Sequence, residues 1–302
     1  MMSGRRLAFF ALLPALAACR PDLGERESLV TSERVLAVRG EPPESRPGEA
    51  VTYDLLVASP EGTLVDPRAT WAFCAQAKPL ADNGSVSAEC LGEAAVRPIG
   101  GPSATVTATT PEDTCSLFGP DVPPGGFRPR DADVTGGYYQ PVRARVGGIT
   151  AFGMERITCN LADAPIDAVQ EYLARYQANH NPTIYSLAAT SSGAPVSTDA
   201  VPAGSTVTFE LAWAAAGAEP FVVFDREAQA IVDARESLRA SWFTTAGEFE
   251  DDRTGRDAAD PETSTANAWT APSEPGRVFL WAVLRDSRGG LDFIEWAVEV
   301  VP

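Results

Sequence analysis

The residues with the most specific chemistry in this 302-residue chain are five cysteines and a single histidine, His180. One imidazole excludes zinc sites that need several histidines. A Ser-His-Asp triad would need a nucleophile beside His180, and the chain has no G-x-S-x-G motif. No glycine-rich loop follows a strand and opens a helix, so we expect no nucleotide cofactor. The sequence therefore predicts no catalytic residue and no cofactor.

Cys19 follows a segment with the layout of an export signal. Arg5 and Arg6 precede an apolar run at residues 7–16, which is shorter than the roughly 20 residues needed to cross a bilayer. The run ends in Leu-Ala-Ala-Cys at residues 16–19, which resembles the lipobox of bacterial lipoproteins. The resemblance implies that residues 1–18 are removed as a signal peptide. It also implies a diacylglycerol thioether on Cys19 and acylation, for example by palmitate, of the new amino terminus.

Such a lipid would be the protein's link to a membrane of the bacterial cell envelope, on the outer membrane or the periplasmic face. The alternative is an ordinary secretory signal with a chance cysteine at its end. Residues 19–33 are mostly polar, and we expect them to form a lipidated tether. The net charge of −17 disfavours a nucleic-acid partner, because phosphate backbones repel an acidic surface.

The four remaining cysteines are Cys74, Cys90, Cys115 and Cys159, an even number in an exported chain. None of them shows the close C-x₂₋₄-C spacing typical of zinc sites, so we expect disulfides. Three pairings are possible, and we favour Cys74–Cys90 with Cys115–Cys159. The first bond would close a short loop that contains a turn signal at residues 82–85.

Two acidic segments suggest calcium. Asp131 and Asp133 lie ahead of a glycine as in part of a calcium loop, but the glutamate of a complete EF-hand loop is missing. Asp251 and Asp252 belong to an acidic stretch at residues 248–262 that two arginines partly neutralise. A solvated acidic loop has the same composition. These four aspartates are therefore weak calcium candidates, and we assign no metal site.

The body of the chain consists mainly of short alternating apolar runs separated by Gly, Pro, Asp and Asn. This pattern predicts a mainly β protein with two antiparallel β-sandwich domains. We place the disulfide-bearing domain at residues 34–162 and the second domain at residues 183–302. A Pro/Gly turn and an early strand recur in both halves, at residues 47–55 and 202–211.

A linker helix is predicted within residues 163–182. Its apolar stripe consists of four residues spaced three or four apart: Ile166, Val169, Leu173 and Tyr176. Such a stripe needs cover, so we expect the helix to dock on one of the sandwiches.

The strand order resembles that of Ig-like and PKD-like modules of exported bacterial proteins. In the second half the resemblance rests on Trp242, the W-x-x-P segment that starts at Trp269, and the D-x-x-G-G turn that starts at Asp286. The first half departs from the pattern through a Pro/Gly-rich insertion at residues 111–135. The resemblance implies adhesion, presentation or binding, and seldom catalysis.

The last hairpin has an unusual second face. We expect Arg285 to pair with Leu291, which places Leu280 and Ala282 on a core face. The opposite face carries four residues that we call the aromatic face: Phe279, Trp281, Val283 and Phe293. Either the linker helix or the first domain covers it, or a partner protein or glycan stacks on Trp281.

Together these patterns predict a cell-envelope lipoprotein that acts as a non-catalytic binding or structural module, with an envelope protein or glycan as its candidate partner. One alternative is a carbohydrate-active or other hydrolytic enzyme that uses carboxylates, which a cleft with two carboxylates about 5–10 Å apart would favour. A second alternative is a calcium-dependent adhesion module.

Overall fold

The computed structural model describes residues 26–79, 85–121 and 132–302. Cys19 and the lipobox lie outside the described residues, as do Asp131 and most of the turn signal at residues 82–85. The described chain is mainly β and forms two β-sandwiches with one helix between them, so the predicted fold class is confirmed.

The first sandwich is built from two sheets. Its strands are β1 (Arg34–Glu41), β2 (Glu44–Ser45), β3 (Ala50–Ser59), β4 (Gly62–Thr63), β5 (Ala69–Cys74), β6 (Val96–Ser103), β7 (Thr105–Thr109), β8 (Tyr138–Val146) and β9 (Ile149–Ile157). Sheet I contains β1, β3, β4 and β7, and sheet II has the order β2-β9-β8-β5-β6. Tyr53, Trp71 and Phe73 fill the core between the sheets. A 3₁₀ turn (Ala88–Leu91) and the short helix α1 (Thr114–Leu117) lie in its connections.

The second sandwich also has two sheets. Its strands are β10 (Ile184–Ser191), β11 (Ala194–Pro195), β12 (Val201–Pro202), β13 (Thr206–Trp213), β14 (Pro220–Asp225), β15 (Ala230–Arg235), β16 (Leu238–Thr244), β17 (Glu248–Phe249), β18 (Arg253–Arg256), β19 (Ser264–Thr270), β20 (Gly276–Asp286) and β21 (Leu291–Val301). Sheet III has the order β11-β10-β13-β19-β17 and sheet IV the order β12-β21-β20-β16-β18. Phe209, Trp242 and Trp269 lie in its core. β14 and β15 form a separate hairpin, and a 3₁₀ turn (Ala215–Gly217) precedes it.

The two sandwiches share a strand arrangement. β2 pairs parallel with β9 in the first, and β12 pairs parallel with β21 in the second, while the larger pairings are antiparallel. The repeat predicted from the Pro/Gly turns corresponds to β3 and β13, which lie in matching sheets.

Both favoured disulfides are present. Cys74 bonds to Cys90 with a Cα–Cα distance of 5.4 Å, and Cys115 bonds to Cys159 with 5.8 Å. The first ties β5 to the 3₁₀ turn Ala88–Leu91, and the second ties α1, at the start of the predicted insertion, to the chain just after β9. The predicted pairing is therefore confirmed.

The linker helix α2 (Ile166–Arg175) is shorter than the predicted range, because the backbone becomes extended at Tyr176. It packs against the β14–β15 hairpin, a two-stranded sheet separate from the four sheets of the sandwiches. The predicted stripe is wrong in part: Ile166 and Leu173 are 75% and 71% exposed, whereas Ala168 and Tyr172 are buried. The buried Tyr172 also packs on Tyr176, with ring centroids 4.8 Å apart.

The predicted tether is also wrong at its carboxyl end. Val30 is fully buried, and Leu29 forms a parallel bridge with Thr244 in β16. Backbone hydrogen bonds join Val30 N to Thr244 O at 2.8 Å and Thr244 N to Ser28 O at 2.9 Å. Residues 28–30 therefore attach to the second sandwich before the chain enters the first.

The described residues include no helix that is long and apolar enough to span a membrane.

Candidate functional site

The register predicted for the last hairpin is confirmed. Arg285 pairs with Leu291, and Leu280 and Ala282 point into the core of the second sandwich. The aromatic face therefore lies on the outer side of sheet IV, as the alternation of side chains along β20 requires.

The aromatic face is not free to bind a partner or glycan. Trp281 and Val283 are fully buried, and Phe279 and Phe293 are partly buried. The cover comes from the outer face of sheet I, through four residues of β1 and β3: Leu36, Ala37, Leu56 and Ala58. Of the two alternatives for this face, cover from within the protein is therefore confirmed, and the candidate binding face for a partner or glycan on Trp281 is wrong. The first domain covers this face, and α2 packs elsewhere.

Sheet I consequently lies between two apolar layers. In β3, Leu55 and Val57 point into the first sandwich, while Leu56 and Ala58 meet the aromatic face. A strand buried on both faces is apolar without alternation, which is the pattern of residues 55–58. We call the contact between sheets I and IV, together with the linker that crosses it, the domain junction.

Polar side chains also cross the junction. The Trp281 Nε1 donates to Thr63 Oγ1 at 2.8 Å. Arg39 in β1 pairs with Asp54 in β3 at 2.6 Å and with Asp292 in β21 at 3.0 Å. Its guanidinium lies 4.8 Å from the centre of the Phe293 ring. These directional contacts fix one orientation of the two sheets, which apolar contact alone does not do.

The linker after α2 joins both sandwiches through two asparagines. Asn179 donates its backbone N–H to Glu44 Oε2 at 2.8 Å and its amide to the carboxylate of Asp286 at 3.3 Å. Asn181 donates to Gly40 O at 2.8 Å and accepts from Leu291 N at 2.8 Å. Each asparagine thus holds one group from each sandwich.

Glu44 is the buried centre of the linker contact in the first domain. Its carboxylate accepts from Thr158 Oγ1 at 2.8 Å and from the Tyr176 hydroxyl. Arg156, also buried, places its Nε 3.4 Å from Glu44 Oε2. The carboxylate is therefore stabilised by one cation and several donors, as a buried charge must be.

Arg288 is the buried centre of the linker contact in the second domain. It is fully buried and forms ion pairs with Glu236 at 2.6 Å and Glu219 at 2.7 Å. A third donor bonds to Gln177 O in the linker at 2.9 Å. The turn that contains Arg288 is thereby held against the linker and the β14–β15 hairpin.

Burial changes the acidity of three carboxyl groups here. It raises the pKa of Asp286 to about 7, with the charge of Glu236 acting in the same direction. It raises the pKa of Glu236 despite the neighbouring Arg288. It raises the pKa of Glu155 well above the ordinary value, and the Oε1 atom of Glu155 has no hydrogen-bond partner among the described residues. Glu155 lines a cavity of only about 10 Å³, enough for roughly one water molecule.

Two larger cavities flank the junction. One of about 240 Å³ lies between β1, β9 and the β20–β21 turn, and Arg285 is the only ionisable residue that the described ranges place in its lining. The other, of about 450 Å³, lies between β1 and strands β16, β18 and β20. Glu27 is the one carboxylate that the described part of the chain contributes to it. Neither cavity contains the pair of carboxylates that glycoside hydrolysis needs.

The calcium candidates are not brought together. Asp133 Oδ1 accepts from the backbone and hydroxyl of Thr135 and from Gly137 N, while its Oδ2 accepts from the Tyr139 hydroxyl at 2.6 Å. Asp251 and Asp252 are exposed in a different domain. Within residues 26–79, 85–121 and 132–302, no group of three or more potential ligands could hold a metal ion. Asp131 lies outside these ranges.

His180 is exposed in the linker, four residues beyond the C-cap of α2. Its Nδ1 lies 2.8 Å from Glu219 Oε1 and its backbone N–H donates to Glu219 Oε2. The residues that sequence reasoning missed are its two neighbours. No local signal in the sequence shows that Asn179 and Asn181 join two domains, because their partners are distant in the chain.

No protein-family model matches the chain, and no curated protein matches it in sequence. Similar solved structures include a lipoprotein of Bacteroides thetaiotaomicron, at 15% identity over 38% of this chain and 80% of that chain, with a TM-score of 0.22. Fibronectin(III)-like modules of Clostridium thermocellum CbhA are 11% identical over 87% of this chain and 93% of that chain, with a TM-score of 0.22. The Yersinia pseudotuberculosis adhesin InvE is 10% identical over 91% of this chain and 61% of that chain, with a TM-score of 0.22. The sandwich architecture described above is derived from the strands of this chain alone, independently of these similar structures.

Proposed function

We propose that this protein is a lipid-anchored module of the bacterial cell envelope that binds or supports an envelope component without catalysis. This proposal is based mainly on the domain junction, in which Trp281 is fully buried between two sandwiches. A permanently assembled pair of sandwiches can hold a ligand or a partner at a fixed distance and angle from its anchor.

The cysteines support an exported location. Two disulfides within one domain fit an oxidising compartment, and cytosolic chains rarely keep them. The lipobox sequence supplies the anchor, with Cys19 as the acceptor of the lipid. The partner is an envelope protein or a glycan.

The hydrolase alternative has no specific observation in its favour. The buried carboxylates of the junction, Glu44 and Glu236, face arginines and linker donors in the interior. They hold structure together, and a substrate sugar could not reach them.

Metabolic labelling with an alkyne analogue of palmitate tests the anchor. Wild-type protein should carry the label and sediment with membranes. The Cys19→Ala variant should carry none and appear in the soluble envelope fraction. A Cys19→Ala variant that is labelled and sediments like the wild type would refute the anchor.

A second assay tests whether the protein binds without hydrolysing the cell wall. Purified cell-wall sacculi are incubated with the chain from residue 20 onward, and both the bound protein and the released reducing sugars are measured. We expect the sacculi to retain the protein without releasing reducing sugars. Time-dependent release of reducing ends that scales with protein concentration would support the hydrolase instead.

A further inference from the structure

The 450 Å³ groove beside the junction is basic, although the chain as a whole has 24 Lys and Arg against 41 Asp and Glu. Four arginines line it: Arg34 from β1, Arg239 from β16, Arg253 from β18 and Arg285 from β20. Among the described residues, Glu27 is the single acidic one in the lining. This local excess of positive charge opposes the sign of the whole protein.

The sheet register forces three of these arginines together. Arg239 pairs directly with Arg285 across β16 and β20. Ser241, on the same side of β16 as Arg239, pairs with Arg253 across β16 and β18. All three side chains therefore leave the same face of sheet IV within two rows. Like charges placed opposite each other destabilise a sheet unless something neutralises them.

Neutralisation by the protein itself is incomplete. Arg285 has no ion pair among the described residues, and its Nη2 donates only to Leu36 O at 3.0 Å. Burial lowers the pKa of Arg285, and the charge of Arg253 lowers it further. Arg34 likewise donates to backbone carbonyl groups, those of Glu27 and Leu29.

The two ion pairs at the rim are weak. Arg239 pairs with Asp257, and Arg253 lies 4.0 Å from Glu27, with all four side chains exposed. Exposed pairs of this kind contribute about 0–1 kcal/mol, so a stronger anion can replace them.

We propose that this groove binds a phosphate group. A phosphate carries up to two negative charges and several acceptor oxygens, which the planar forks of several arginines match in pairs. The ring of Phe243, with Arg34 at 5.7 Å from its centre, gives the groove an apolar wall for the atoms that carry the phosphate. The volume of about 450 Å³ exceeds that of a phosphate alone and suits a phosphorylated headgroup or sugar.

The phosphate has two possible sources, a lipid headgroup at the anchoring membrane or a soluble phosphorylated molecule. This inference deepens the proposed function, since it rests on the protein being a binding module and names the ligand class. Its test uses a chain without the lipid, so its failure would leave the palmitate-labelling result unchanged.

The test uses the chain from residue 20 onward, which contains every described residue. Binding of inorganic pyrophosphate is measured by isothermal titration and by the shifts of arginine Nε–Hε signals in NMR spectra. Binding to vesicles is measured with phosphatidylcholine containing 30 mol% phosphatidylglycerol, against vesicles of phosphatidylcholine alone. The key variant is Arg253→Gln, whose side chain is exposed and whose loss should leave the fold intact.

The matched control is Arg277→Gln. Arg277 is an exposed arginine at the other end of β20, paired with Glu299, so this variant removes the same charge outside the groove. Arg285→Gln provides a second groove variant. Binding is compared only among proteins whose thermal melting curves match that of the wild type.

We expect Arg253→Gln to weaken pyrophosphate or vesicle binding at least tenfold and Arg277→Gln to change it less than twofold. Binding to pyrophosphate alone identifies a soluble source of the phosphate, and binding to phosphatidylglycerol vesicles alone identifies a lipid headgroup. Two results overturn the proposal: no binding of wild type to either probe, or equal loss in Arg253→Gln and Arg277→Gln.

Discussion

The indole N–H of Trp281 and the hydroxyl of Thr63 form a hydrogen bond of 2.8 Å between two sandwiches, across 218 residues of sequence. Trp281 is completely buried at this contact. A buried indole that satisfies its donor on the neighbouring domain fixes the position of that domain as well as excluding water. The two domains of this protein are therefore expected to unfold as one cooperative unit.

Truncation of Trp281 should destabilise the protein strongly. Trp281→Ala removes a fully buried aromatic side chain, which costs about 3–5 kcal/mol of the free energy of unfolding. Thr63→Val removes only the acceptor and should cost about 1 kcal/mol. Urea denaturation followed by far-UV circular dichroism measures both. Tyr185→Ala is the control, because this side chain is 81% exposed and its loss should cost less than about 0.5 kcal/mol. Equal effects of Trp281→Ala and Tyr185→Ala would contradict the buried junction.

Glu236→Gln should be far more harmful than its surface counterpart. The substitution removes the closest carboxylate of the fully buried Arg288 but leaves its ion pair with Glu219, so the cost should approach but not reach the about 3–5 kcal/mol of breaking an isolated buried pair. Glu299→Gln breaks the exposed pair with Arg277, which is 3.6 Å long, and should cost less than about 1 kcal/mol. Differential scanning calorimetry compares the two. A melting temperature for Glu236→Gln within a degree of the wild type would show that Arg288 does not depend on this carboxylate.

The raised pKa of Asp286 predicts a stability that falls as the pH rises. Burial holds this pKa at about 7, while an unfolded aspartate has a pKa of about 3.9. Between these values the folded protein keeps a proton that the unfolded chain has lost, so this group stabilises the fold at low pH. The stabilisation by the proton on Asp286 is at its full value below pH 4 and is lost as the pH rises through 7.

The buried Glu236 and Glu155 have raised pKa values and act in the same direction. We expect the free energy of unfolding, measured by urea denaturation, to be higher at pH 5 than at pH 7.5. Asp286→Asn, which cannot titrate, should flatten this slope. A slope that is unchanged in Asp286→Asn would assign the pH dependence to other groups.

The disulfides should stabilise to different degrees. Cys115 and Cys159 are 44 residues apart and Cys74 and Cys90 are 16 apart. The chain-entropy relation gives about 4 kcal/mol for the longer loop and about 3 kcal/mol for the shorter. Double Cys→Ser variants at each bond, unfolded in urea without reductant, measure the two values. A larger loss at the shorter loop would show that local strain or packing outweighs loop entropy here.

Several features of the fold followed directly from sequence, because they depend on short-range patterns. The register of the β20–β21 hairpin was predictable because pairing Arg285 with Leu291 places Trp296 opposite Leu280 and Ile294 opposite Ala282 on the core face, and a shift by one residue would separate these apolar pairs. The unusual apolar run of β20 also showed correctly that its second face needs cover. The same kind of run in β3, at residues 55–58, marks the strand that provides that cover.

Other features were beyond sequence reasoning because their partners are far apart in the chain. The helix stripe was ambiguous, since Tyr172 lies one position from Leu173 and only the position of the β14–β15 hairpin decides which one is buried. The basic groove collects Arg34, Arg239 and Arg285 from distant strands, so no local spacing indicates it. The contacts of Asn179 were equally hidden, because its two carboxylate partners, Glu44 and Asp286, lie in different domains.

The attachment of residues 28–30 to β16 determines how the molecule responds to mechanical force. Tension applied at the amino terminus reaches the second sandwich first, through the two backbone hydrogen bonds between Thr244 and residues 28 and 30. The side chain of Arg26 adds a hydrogen bond to Phe249 O and an ion pair with Glu248 to this attachment. We therefore expect a pull on the amino-terminal end to break the contacts of residues 28–30 before it disturbs the first sandwich.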